Sequence, residues 1–91
     1  MNIRRRYLFS GRVQGVGFRY RSYYLANHLR LSGWVRNRED GTVEMEIEGP
    51  EESIDNLIQS LQDDKYIRID NVFCKSIPLQ GETSFIYGDE R

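Results

Sequence analysis

The stretch from Thr42 to Glu48, TVEMEIE, alternates polar and apolar residues without a break. Val43, Met45 and Ile47 point to one side of a predicted β-strand, because successive side chains of a strand face opposite ways. The polar residues between them point to the other side. We therefore expect one face of this strand to pack on a core and the other, acidic face to be solvated, as is typical of an antiparallel sheet.

Helical patterns lie on either side of this strand. Residues 19–30 predict a first helix, since one face collects its small and apolar residues at helical spacing: Phe18, Ser22, Leu25, Ala26 and Leu29. A second helix begins after Pro50, where Glu51 and Glu52 suit a helix N-terminus, and ends at Asp63-Asp64. Its apolar stripe consists of Ile54, Leu57, Ile58 and Leu61.

The remaining apolar segments complete a repeated strand-helix-strand pattern. Further strands are predicted over residues 4–13, 33–38, 66–77 and 84–87, and Glu39-Asp40-Gly41 forms a hairpin turn. The order β-α-β-β-α-β, with a short strand added at the end, favours an α+β, ferredoxin-like split β-α-β sandwich. We expect residues 1–91 to form a single domain, with two helices on one face of an antiparallel sheet of four to five strands.

Composition excludes several classes of protein. The 91 residues are 38% hydrophobic and 12% aromatic, enough for one compact core and too many for a disordered chain. No apolar run is long enough to span a membrane, and no signal-peptide pattern follows the first residues. Cys74 is the only cysteine, so no intramolecular disulfide or thiolate cluster can form. We expect a small cytoplasmic monomer.

The net charge of −1 conceals a strong asymmetry along the chain. Residues 1–38 hold nine arginines and no acid, whereas residues 39–91 hold four basic residues and all fourteen acids. Because arginine suits phosphate and carboxylate, the first segment could bind an anion. Alternatively, the fold interleaves the two halves and the charges pair on the surface. Arg4-Arg5-Arg6 is predicted to be solvated strand surface.

A glycine-rich loop lies among these arginines, between the first strand and the first helix. Glycines at 15 and 17 allow successive backbone N–H groups to turn inward at the positive end of a helix, which is a site for a phosphate-sized anion. Arg19 begins the helix and can reach back over the loop. The loop lacks the Lys-Ser/Thr ending of a Walker motif and the third glycine of a dinucleotide fingerprint. A tight turn without a ligand remains the alternative from spacing alone.

Two long motifs make the sequence resemble the acylphosphatase family. The first is Gly11-Arg12-Val13-Gln14-Gly15-Val16-Gly17-Phe18-Arg19, and the second runs from Gly33-Trp34-Val35-Arg36-Asn37 through Val43. The resemblance is strong over residues 7–62, thin over 63–83, and weak again at 85–87. It departs from the family at Arg30, where a glycine is usual, and at Asp63-Asp64-Lys65-Tyr66, which replaces a Gly-Pro stretch.

The resemblance implies hydrolysis of the carboxyl-phosphate bond of acyl phosphates, with no metal and no cofactor. By motif position, Arg19 is the catalytic, phosphate-binding arginine and Asn37 holds the attacking water. The phosphoryl oxygens would be cradled by the backbone N–H groups of Gln14, Gly15, Val16, Gly17 and Phe18. The implied partners are a small acyl phosphate and, as competitors, inorganic phosphate or sulfate, with no nucleic acid and no membrane.

Three other functions compete with this one. RNA-recognition domains share the β-α-β-β-α-β order, but their aromatic motif lies on the third strand, where this chain has Glu44, Glu46 and Glu48. A domain that only binds an anion is disfavoured by the presence of both Arg19 and Asn37. A carbamoyl-phosphate-handling domain of a larger enzyme is disfavoured by the absence of a further domain. The sequence identifies no pocket for a particular acyl group.

Overall fold

The computed structural model describes residues 1–88, which form two helices and five strands. Strand β1 spans Asn2–Arg12, helix α1 Phe18–His28, strand β2 Ser32–Asn37 and strand β3 Val43–Pro50. Helix α2 follows over Glu51–Asp63, then strand β4 over Arg68–Ile77 and strand β5 over Phe85–Tyr87. Every predicted element is present, and the observed ends lie within about two residues of the predicted ones.

The strands form one sheet in the order β4-β1-β3-β2-β5. The first four strands pair antiparallel, but β5 runs parallel to β2, so the sheet is mixed rather than purely antiparallel. The reason is the connection from β4, which lies at one edge, to β5 at the other. This segment crosses the sheet face at β3, where the backbone N–H groups of Gln80 and Gly81 donate to Glu48.

The core lies between the helices and one face of the sheet. Helix α2 buries Ile54, Leu57 and Leu61, and α1 buries Phe18, Ser22 and Ala26, which confirms the two predicted stripes. The alternating residues of β3 face them, with Val43, Met45 and Ile47 fully buried. The ferredoxin-like α+β prediction is confirmed.

The opposite face of the sheet is not the solvated acidic surface that the alternation predicted. Glu44 and Glu48 are only 5% and 6% exposed. Arg4, expected to be solvated, is 2% exposed and binds Glu46 and Glu48 from the neighbouring strand and Glu82 from the crossing segment. The prediction was wrong because it took each strand alone, whereas arginines of β1 stand opposite glutamates of β3 in the sheet.

The two departures from the family pattern have defined local structures. Arg30 takes a left-handed conformation with φ 59°, the one that a glycine would adopt easily. Asp64 follows α2 and its carboxylate accepts a hydrogen bond from the backbone N–H of Tyr66 at 2.8 Å. In the part of the chain that the structure describes, no helix is both long and apolar enough to cross a membrane.

Candidate active site

The glycine-rich loop leads into an uncapped helix N-terminus. Gly15 and Gly17 have φ 72° and 83°, and Gly17 occupies the N-cap position of α1 without any side-chain capping bond. The first turn of α1 contains no acidic residue. The leading N–H groups of a helix have no partner within the helix, and they carry the positive end of its dipole. The loop therefore presents donors and positive potential that nothing in the local sequence neutralises.

The space beside these two glycines is open. A Cβ built on Gly15 or on Gly17 would meet no atom within 4 Å. The glycines are thus required by backbone conformation rather than by close packing, because side chains rarely adopt such φ angles. The loop is held from beneath by Phe18, which is buried and whose ring centroid lies 4.9 Å from that of Phe9. This leaves the loop anchored on one side and accessible on the other.

Arg19 is the second residue of α1 and reaches across to the end of β5. Its Nη1 donates to the carbonyl oxygen of Gly88 at 2.8 Å, and its guanidinium lies 4.9 Å from the centre of the Tyr87 ring. Within residues 1–88, no carboxylate lies within ion-pair distance of Arg19. A cation at the N-terminal end of a helix opposes the helix dipole, so Arg19 gains nothing there electrostatically unless an anion is present.

Asn37 is the last residue of β2 and lies on the same sheet side as α1. It is two residues beyond the fully buried Val35 and pairs with Val43. The backbone N–H of Gly88, whose carbonyl oxygen holds Arg19, donates to Val35 at 2.7 Å. The guanidinium of Arg19 is thus fixed to the strand end that carries Asn37. The structure brings the loop, Arg19 and this strand end to one region of the molecule.

Gln14 has a role that the sequence did not reveal. Its side-chain amide donates to the carbonyl oxygens of Arg38 at 2.7 Å and Thr42 at 2.9 Å. These oxygens flank the turn that immediately follows Asn37, so one side chain ties the loop to the hairpin. The backbone carbonyls that Gln14 binds are distant in sequence, and only the fold shows them together. The contacts of Arg19 with Tyr87 and Gly88 were missed for the same reason.

The site contains few groups able to exchange protons. Its polar contributors are a guanidinium, an amide and backbone N–H groups, and His28 is exposed at the far end of α1. Among residues 1–88, no three His, Cys, Asp or Glu side chains are grouped so that they could hold a metal ion. The arrangement can bind and polarise an anion, and its contributors among residues 1–88 include no side chain that would act as a base near neutral pH.

Comparison with known proteins identifies the family of this chain. The Acylphosphatase family model matches residues 5–87. An acylphosphatase of Picrophilus torridus is 49% identical over 61 residues, covering 67% of this chain and 75% of its own. An acylphosphatase of Pediococcus pentosaceus is 42% identical over 79 residues, covering 85% of this chain and 88% of its own. The crystal structure of acylphosphatase from Bacillus subtilis superposes with a TM-score of 0.85 at 34% identity, covering 93% of this chain and 96% of that one. On these matches and the fold they share, the chain belongs to the acylphosphatase family.

Proposed function

We propose that this protein hydrolyses acyl phosphates through direct attack of water on a phosphoryl group held by Arg19 and by the N–H groups of residues 14–18. Family membership supports acyl phosphate hydrolysis itself. Three observations support the division of roles: Arg19 lacks a carboxylate partner within residues 1–88, lies in the first turn of a helix whose N-terminus is uncapped, and is linked through Gly88 to Val35, two residues before Asn37. A bound phosphoryl group would supply the missing negative charge.

The reaction needs little from the protein beyond positioning and charge. Phosphoryl transfer has a loose transition state, with negative charge spread over the equatorial oxygens, where a guanidinium and backbone N–H groups can stabilise it. The water oxygen bonds to phosphorus while the bond from phosphorus to the acyl oxygen breaks. A carboxylate and inorganic phosphate result. A phosphoryl oxygen of the substrate accepts the proton of the water, since residues 1–88 bring no group to the site that would act as a base near neutral pH.

In this scheme Asn37 orients the attacking water. Its side-chain amide can both accept and donate a hydrogen bond, which is enough to fix one water molecule opposite the leaving group. Holding the two reactants in line converts the step into an effectively unimolecular one. The hydrogen bonds from the Gln14 side chain to the carbonyls of Arg38 and Thr42 support this geometry. They hold the glycine-rich loop of residues 14–18, which we call the phosphate loop, at a constant distance from the hairpin.

The direct test is hydrolysis of benzoyl phosphate by the purified chain, with and without excess chelator. We expect equal turnover in both conditions, and competition by inorganic phosphate and by sulfate. Activity lost in chelator and restored by a divalent ion would contradict the metal-free mechanism. A protein that binds phosphate but does not hydrolyse benzoyl phosphate would instead be an anion-binding module.

The pH dependence of turnover tests the proton transfer separately. If a substrate oxygen takes the proton, turnover should not depend on the titration of an enzyme group near neutral pH. A profile that showed such a group to be essential would require a base that we have not assigned.

We also propose that residues 1–91 work as one domain and as a monomer, which sedimentation at several protein concentrations would check. The cytoplasmic location stays a prediction from sequence.

A further inference from the structure

A second cationic surface adjoins the phosphate loop. A groove of about 410 Å³ is lined by Arg12, Gly15, Val16, Lys65 and Tyr66, and we call it the side groove. Gly15 belongs both to this groove and to the phosphate loop, so a ligand in the side groove lies next to whatever the loop binds. Lys65 and Tyr66 lie in the short stretch where this chain departs from the usual family sequence.

Two cations, Arg12 and Lys65, line the side groove. Within residues 1–88, neither Arg12 nor Lys65 has a carboxylate within ion-pair distance. The nearby acids bind elsewhere. Asp64 lies 3.6 Å from Arg21 and accepts from the backbone of Tyr66, while Asp70 accepts from Arg68 at 3.1 Å. An anion entering the groove would meet two positive charges that have no carboxylate partner in the described part of the chain, with the ammonium of Lys65 lying 5.1 Å from the centre of the Tyr66 ring.

Most other arginines of this chain are paired, which makes Arg12 unusual. The arginines at 4, 5, 6, 21, 36 and 38 each lie within ion-pair distance of an acid. In the described part of the chain, the three without such a partner are Arg12, Arg19 and Arg30. Arg30 is at the far end of α1, whereas Arg12 and Arg19 lie on either side of the phosphate loop.

We propose that the side groove binds a second negative charge, carried by the acyl half of the substrate. The preferred substrates are therefore acyl phosphates of short dicarboxylic acids, whose distal carboxylate reaches Arg12 and Lys65. Val16 and the ring of Tyr66, which is 65% exposed, would contact the methylene groups between the two charged ends. This inference rests on the proposed function, because it takes the phosphoryl group to be held at the loop.

Binding can be measured without turnover by using two stable phosphonates. 4-Phosphonobutyrate carries a distal carboxylate, and butylphosphonate has a similar chain without it. In calorimetry at low ionic strength, we expect the carboxylated ligand to bind more tightly, by about fivefold for each cation engaged, as an exposed ion pair of about 1 kcal/mol gives. The preference should shrink in high salt, because salt screens exposed charges.

Two variants and a matched control assign the effect to the side groove. Lys65→Met and Arg12→Met should each remove about fivefold of the preference while leaving butylphosphonate affinity unchanged. Lys75→Met is the control, since Lys75 is exposed on β4 and does not line the groove. If all three variants weaken both phosphonates equally, the cations only raise the local concentration of anions, and the proposal is wrong.

Kinetics provides an independent readout. The wild-type kcat/KM for succinyl phosphate should exceed that for butyryl phosphate by about the factor found in the binding experiment, and Lys65→Met and Arg12→Met should each lower this preference by about fivefold. Equal wild-type kcat/KM values, or a preference that is unchanged in both variants, would overturn the side groove and leave the hydrolytic function intact. Failure to hydrolyse either compound would overturn the proposed function as well.

Discussion

Arg19 and Asn37 should affect different stages of the reaction. In the proposed mechanism, Arg19 supplies charge and a two-pronged contact in both the ground and transition states, whereas lysine would keep the charge without the fork. Arg19→Lys should therefore weaken phosphate binding and turnover together. Asn37→Ala should leave phosphate affinity nearly unchanged while turnover falls by about 10²–10³-fold, the loss expected for one preorganised donor. Turnover and phosphate dissociation constants of the folded variants would separate these effects.

Asn37→Asp provides a further contrast. A carboxylate at this position would repel the incoming phosphoryl dianion, so both affinity and turnover should fall. A folded Asn37→Ala variant with near-normal turnover would contradict the water-orienting role, even if the chain remained an active hydrolase.

Arg30 shows what a single residue contributes to backbone strain. A non-glycine residue in the left-handed region costs about 1 kcal/mol or more, and Arg30 has φ 59°. Arg30→Gly should raise the free energy of unfolding by about 0.5–1 kcal/mol, once the greater freedom of unfolded glycine is subtracted. Arg30→Ala is the control, because it removes the charge but keeps the Cβ. Equal effects of both changes in urea unfolding would assign the difference to charge.

At the scale of the elements, short-range periodicity in the sequence predicted which side chains of each helix and strand face the core. The stripes of α1 and α2 and the inward residues of β3 could be read from the sequence, since each pattern is complete within one element. The parallel pairing of β5 and the burial of Glu44 and Glu48 could not. Both depend on which strands become neighbours, and in this fold β1 and β3 meet across forty residues of chain.

The ion pairs between β1 and β3 should contribute unequally to stability. Arg4 is buried, and burial lowers its pKa, but the hydrogen bonds that it donates to Glu46, Glu82 and Glu48 outweigh this and the net pKa is raised. Arg4→Met would leave the buried carboxylate of Glu48 and the half-buried carboxylate of Glu46 without this cation, so we expect a loss of about 3–5 kcal/mol in the free energy of unfolding. After Arg6→Met, Glu44 would still be paired with Arg36, whose Nη2 lies 2.7 Å from Glu44 Oε1. The free energy of unfolding should therefore fall by only about 1 kcal/mol. Urea midpoints at constant slope would measure both.

The sheet face that carries Glu44 and Glu48 should make the free energy of unfolding decrease at acid pH. Burial raises the pKa of Glu44, but Arg36 and Arg6 outweigh it, and the net pKa is lowered. The pKa of Glu48 is lowered chiefly by the backbone N–H of Gln80. Because the folded pKa values of both carboxyls lie below the ordinary glutamate range, their stabilisation is complete above that range. It is lost as the pH falls from that range through the folded pKa values.

Substitution of Glu48 tests this sign. Glu48→Gln should be less stable than wild type at pH 6 but should lose less free energy of unfolding between pH 6 and pH 3. Glu52→Gln, at an exposed position of α2, controls for the change in net charge. A Glu48→Gln variant with the wild-type pH slope would show that the carboxylate at 48 does not drive the acid sensitivity.

At the scale of the whole molecule, the charge asymmetry of the sequence has two outcomes. Most of the basic residues of the first segment pair with acids of the second across the sheet and with α2, as the interleaving alternative predicted. Arg12 and Arg19 are not paired within residues 1–88 and lie beside the phosphate loop. Counting charges in the sequence could suggest an anion site. Only the ion pairs of the folded protein show which arginines remain to bind an anion: Arg19 at the phosphate loop and Arg12 at the side groove.

An anion that binds at this loop must also stabilise the whole fold. A ligand that binds only the folded state contributes about 2.7 kcal/mol at a hundred times its dissociation constant. For a domain of this size, that corresponds to a rise in Tm of roughly 10–20 °C. Phosphate and sulfate also stabilise proteins in general by exclusion from their surface, so the raw shift in Tm is not specific.

Arg19→Met, measured in the same phosphate series, should retain only this general shift. The excess stabilisation of the wild type over the variant should rise as RT ln(1 + [phosphate]/Kd), without saturating, and the Kd fitted to it should equal the inhibition constant for benzoyl phosphate hydrolysis. Identical shifts for the two proteins would mean that the loop is a turn without a ligand, whatever its sequence resembles.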